Sequence, residues 1–127
     1  MGCGASQVNK PVFTMILDVS FEDQHYRLEV TDDLLQQGRE FFAKMDRDMD
    51  AGWQMGHVFV EHLDTLKRAQ IAASKLLIAL ENHNRAMSQA MSGYIVSRLP
   101  GVSAVHIDTA GQMLNTQFFL GEDRFAD

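Results

Sequence analysis

This 127-residue chain has one cysteine, two prolines, and only 11 lysines and arginines against 17 aspartates and glutamates. Each scarcity removes a class of function. A lone thiol, Cys3, can close no internal disulfide and build no thiolate metal cage. A net charge of −6 repels phosphate backbones, and the densest basic pair, Lys67-Arg68, is no patch, so nucleic acid is not an expected partner. No apolar run approaches the ~18–20 residues that a membrane-spanning helix needs. No basic-then-apolar leader opens the chain, and the expected localisation is cytoplasmic. Serine, cysteine and histidine show no spacing that would position a nucleophile beside a base, and no nucleotide-binding loop is present.

What the chain does have is apolar content. With 46% hydrophobic and 22% charged residues it can bury a core as one domain. Residues 1–10 lack periodicity and read as a tail, residues 11–120 as a single α+β domain, and residues 121–127 as a second tail. Phe13, Met15, Leu17, Val19 and Phe21 fall on one face, with Thr14, Asp18 and Ser20 on the other. After Glu22-Asp23 the alternation resumes with Tyr26, Leu28 and Val30. Period two on both sides of a short polar turn is a half-buried hairpin.

From Thr31-Asp32-Asp33, a capping sequence, the apolar spacing changes to three and four. The period runs across Gly52 and Gly56, which predicts one bent helix over about 32–61, although each glycine costs about 1 kcal/mol relative to alanine. A second helix is predicted over about 65–98, stopped by Pro100-Gly101. Val105 and Ile107, a turn at 109–111, and residues 112–119 predict a second hairpin. The expected fold is therefore ββ-α-α-ββ: a long antiparallel helical hairpin with both β-hairpins in one small antiparallel sheet.

Helices of that length would extend about 45–50 Å, beyond the roughly 36 Å of a compact globule of this size. A pair so long leaves Phe41, Phe42, Met45, Met49, Leu80, Met87 and Met91 as candidate interface residues, and a homodimer as the expected assembly. Facing register puts Gly52 and Gly56 opposite Ala69 and Ala73, a candidate for close helix packing.

Three spacings have metal chemistry as an alternative. His57 and Glu61, four apart, with His83 on the facing helix, are candidate zinc or iron ligands. His83, Met87 and Met91 share a face with soft donors suited to copper(I), and Met45 and Met49 repeat the spacing. Methionine at helical spacing is more often adaptable core. Asp46, Asp48 and Asp50 echo a calcium loop, but the glycine comes one position late and the twelfth residue is His57 rather than glutamate. No cofactor is implied. Gly2 and Cys3 match a dual-lipidation start, which would make the chain a membrane-anchored adaptor. No polybasic segment follows them, and without lipidation a membrane is not an expected partner. The leading expectation is a non-enzymatic homo-oligomeric protein-binding or scaffold protein. A small metal-binding protein or metal-dependent enzyme is the alternative.

Overall fold

The structure, a computed structural model, describes residues 14–55, 57–110 and 112–121. The expected tails (apart from Gly121), the lipidation start at Gly2 and Cys3, and Gly56 lie outside the described residues. Within them the chain is mixed α+β, with four helices and a four-stranded sheet.

Strands β1 (Thr14–Phe21) and β2 (Gln24–Thr31) form the first hairpin, in register from Thr14↔Thr31 to Phe21↔Gln24. Strands β5 (Val102–His106) and β6 (Gln117–Leu120) form the second, as expected from the alternation. Both hairpins share one sheet in the order β2-β1-β5-β6. The sheet is mixed rather than antiparallel, because β5 returns beside β1 and runs parallel to it. Leu17, Val19, Phe21, Val30, Val102 and Val105 belong to the buried core, together with Ala72, Ala73, Leu76, Met91 and Ile95 of the helices. On the other face Asp18, Ser20, His25, Arg27, Glu29 and His106 are half-buried or exposed.

The two long helices of the sequence reading are each interrupted. The first becomes α1 (Asp32–Gln37) and α2 (Arg39–Met49), separated at Gly38. Thr31 caps α1 by accepting the Leu34 N–H at 3.1 Å. Beyond Asp50 the chain leaves the helix at Gly52, whose φ of +98° is a conformation that glycine alone adopts without strain. A small hairpin follows, β3 (Trp53–Met55) and β4 (Val58–Val60), pairing Trp53 with Val60 and Met55 with Val58. Gly52 therefore sits in no helix. A Cβ there would meet the Val60 carbonyl and the Phe59 ring, not Ala69 or Ala73, which are buried within α3.

The second long helix divides into α3 (Thr65–Glu81) and α4 (Arg85–Arg98). Asp64 caps α3 through the Lys67 N–H at 2.8 Å. Between them His83 takes a φ of +58°. Its N–H bonds to the Leu80 carbonyl, and the Asn84 N–H bonds to the Ala79 carbonyl. That pair of bonds is the Schellman ending of a helix, with histidine in the left-handed position usually held by glycine. Asn84 then caps α4 by accepting the Met87 N–H. The reversal folds α4 back along α3, so no helix reaches the length expected from sequence. Among the described residues, no helix is long and apolar enough to cross a membrane.

Two glycines form a slot for one aromatic ring. A Cβ on Gly38 would come within 2.6 Å of the Phe42 Cζ, and one on Gly93 within 2.9 Å. Gly93 lies inside α4, where alanine would ordinarily stabilise by about 1 kcal/mol. Here Gly93→Ala is expected to destabilise by about 1–2 kcal/mol in urea unfolding, since Phe42 is buried and has nowhere to retreat.

Candidate functional site

A concavity lies between α2, α3 and the start of α4. It is a cleft of about 440 Å³. From α2 come Phe41, Lys44, Met45 and Asp48; from α3 and its C-cap come Lys75, Ile78, Ala79 and Asn82. Each set falls at i, i+3, i+4 and i+7, the spacing that puts residues on one helical stripe. Asn84, Met87 and Met91 close the end contributed by α4. Met45, Ala79 and Met91 are buried and form the floor. Phe41 (40% exposed), Ile78 (55%) and Met87 (37%) form an apolar rim open to solvent. A smaller hollow continues the cleft past Met45, Asp48 and Lys75 to Met49 and Trp53. There the Lys75 ammonium lies 4.8 Å from the centre of the Trp53 ring. Lys44 pairs with Asp48 at 3.0 Å across one helical turn.

A second polar cluster ties the helices together. Asp46 of α2 accepts from the Tyr94 hydroxyl at 2.5 Å. The same carboxylate accepts from Arg98 at 2.8 and 3.0 Å, and from Arg68 at 3.2 Å. Arg68 also donates to Asp50 at 2.8 Å. Burial by itself raises the Asp46 pKa, but the Tyr94 and Arg98 hydrogen bonds, the Arg98 charge and the Arg68 bond outweigh it, and the carboxyl titrates below its ordinary value of 3.8. The Tyr94 hydroxyl is pushed up, first by burial and then by donating to Asp46. An open hollow of about 420 Å³ flanks Asp46, Arg68, Tyr94 and Arg98. The cations there are already matched by carboxylates, so the cluster works as a clamp between α2, α3 and α4.

The calcium echo is resolved by the same contacts. Asp46 faces two arginines, Asp48 faces Lys44, and Asp50 faces Arg68. Asp46 and Asp50 share the Arg68 guanidinium while Asp48 turns to Lys44, so each acid is matched by a side-chain cation. His57 lies in the β3–β4 turn, Glu61 follows β4, and His83 occupies the left-handed turn after α3. Among the described residues no three His, Cys, Asp or Glu side chains are placed to hold a metal. Met45, Met87 and Met91 do line one cleft, but His83 and Met49 are not among the residues lining it.

The interface residues expected from sequence divide sharply. Phe42, Met45, Met49, Leu80 and Met91 are buried within one chain, and only Phe41 and Met87 reach solvent. Ile78 and Lys75 were not singled out in the sequence, yet they form the opposite wall of the cleft. Their signal was the Lys75, Ile78, Ala79, Asn82 stripe, which mixes polar with apolar positions and so did not stand out. On the outer sheet face Ser20 Oγ lies 2.9 Å from His106 Nδ1, with His25 paired opposite Ser20. Among the described residues no acid orients His106, so the pair lacks the third member of a nucleophilic triad.

Comparison with protein families, with curated proteins and with solved structures finds no match to this chain.

Proposed function

We propose that the protein is a non-catalytic binding module that holds an apolar segment of a partner protein in the cleft between α2 and α3. The observation carrying this reading is the open rim of Phe41, Ile78 and Met87 above a closed floor of Met45, Ala79 and Met91. Cores close over their large side chains where they can, and an apolar concavity left open marks an interaction site. Methionine suits such a surface, because its unbranched thioether repacks around differently shaped anchors. Two helical stripes with a trough between them accept a third helix, the helix-in-groove mode.

Two-fold pairing of the chain was the expectation from the helical stripes. It loses much of its motive, since five of the seven residues invoked are already covered within the protomer. Self-association through the remaining rim is the competing occupant of the same cleft.

The test uses protein labelled at its methionine methyl groups and an amphipathic helical peptide as the probe. The methyl signals of Met45, Met87 and Met91 are expected to shift on titration while that of Met15 stays put. Ile78→Glu is expected to abolish the shifts, with the unfolding free energy changed by no more than about 0.5 kcal/mol, because Ile78 is a surface position. A titration that moves none of the three methyls overturns the reading. Sedimentation equilibrium showing a dimer that Ile78→Glu dissociates assigns the cleft to a second copy instead.

A further inference from the structure

The occupant of the cleft can be specified by charge. The chain is acidic overall, but its charges are segregated. Helices α2, α3 and α4 hold eight of the 11 lysines and arginines and only four of the 17 aspartates and glutamates. The helical layer that frames the cleft is therefore positive, and the excess negative charge lies elsewhere in the chain. At the cleft itself the two lysines outnumber the single acid, Asp48. Lys44 is paired with Asp48, whereas among the described residues Lys75 meets no carboxylate and rests only on the Trp53 ring. An ammonium beside an apolar trough, held by an aromatic face and lacking an anion, is a half-made ion pair.

Shape argues for a helix. The wall supplied by α2 runs from Phe41 to Asp48, about 11 Å at ~1.5 Å per residue, and the smaller hollow continues it past Met49 to Trp53. That length accommodates two to three turns of a docked helix lying between the stripes. Resting on the groove reading above, we infer that the partner segment is an amphipathic helix bearing acidic residues at the edge of its apolar face, one of which meets Lys75. Its apolar anchors sit over Met45, Ala79 and Met91, and its carboxylate completes the Lys75 pair. Opposite charges on the two surfaces favour this partner over one with a basic edge, and the preference weakens as salt screens the pair.

Two synthetic peptides test this. They share one helical apolar stripe of leucines, about four turns long, and differ only in carrying glutamate or lysine along its edges. Trp53 is the sole tryptophan and lies at the end of the cleft, so its emission reports binding directly. The glutamate peptide is expected to bind about tenfold tighter than the lysine peptide, with the ratio collapsing toward one in ~1 M salt. Lys75→Glu is expected to reverse the order. Lys75→Gln, which keeps much of the side-chain stem without the charge, is expected to reduce the preference without reversing it. Equal affinity for both peptides overturns the acidic partner and leaves the groove reading standing. A lysine peptide that binds the unaltered protein more tightly also overturns the acidic partner. Failure of both peptides to bind, with the methionine methyls unmoved, overturns the groove reading as well.

Discussion

Phe42→Ala is expected to lower the unfolding free energy by about 3–5 kcal/mol, measured by urea denaturation, the range for removing a large aromatic from a packed core. Phe42 is 2% exposed and joins three helices. Its ring fills the slot between Gly38, at the start of its own helix, and Gly93 in α4. It meets Tyr94 edge-on at 6.0 Å and Phe41 at 6.4 Å, and the Arg98 guanidinium lies 6.0 Å from its centre. Truncation leaves a void bounded by two residues that have no side chains to fill it. The glycines themselves supply a sharper test. With Phe42 in place, Gly93→Ala collides with the ring and destabilises. In the Phe42→Ala background the collision is gone, and the same change should become stabilising by about 1 kcal/mol through helix propensity. A Gly93→Ala effect of one sign in both backgrounds would show that the slot is not what places glycine there.

The first hairpin was legible because its face is half-buried. Val19 and Tyr26, and Leu17 and Leu28, pair across β1 and β2, and period two survives wherever one side of a strand meets the core. The segment 50–60 was illegible because two periods overlap in it. Met49, Trp53 and Val60 fit a continued helical stripe, yet Trp53 and Val60 face each other across a hairpin. Only Gly52, with its positive φ, separates the two readings. The split of the second helix was written in Asn82-His83-Asn84, where two residues apt for caps flank the turn. A histidine in the left-handed position concealed it, since glycine is the usual marker. The parallel pairing of β1 with β5 left no local trace, because it depends on how far the helices carry the chain before it returns. For the site, the methionine spacing did find Met45, Met87 and Met91, while Lys75 and Ile78 became visible only once α3 stood opposite α2.

Asp46 is where the sequence and the structure differ most. In the sequence it is one of three alternating acids that echo a calcium loop. In the fold a single carboxylate receives Tyr94, Arg98 and Arg68 from two other helices. Asp46→Ala is expected to destabilise by about 2–4 kcal/mol, because it leaves two part-buried guanidinium groups short of an acceptor and strands a buried hydroxyl. Asp46→Asn should lose less, since its amide oxygen can still accept one of these bonds. The pH dependence carries a definite sign. The folded carboxyl titrates below the ordinary 3.8, so its contribution is fully present above that value and is lost as pH falls through the folded pKa. The stability gap between the unaltered protein and Asp46→Asn should therefore be flat near neutrality and narrow as acid protonates Asp46. Asp48 offers a built-in control. Its pair with Lys44 is exposed on both sides, and Asp48→Asn should cost no more than about 0.5 kcal/mol. Equal losses from Asp46→Asn and Asp48→Asn at neutral pH, or a gap that widens in acid, would mean that the helices are not held together through Asp46.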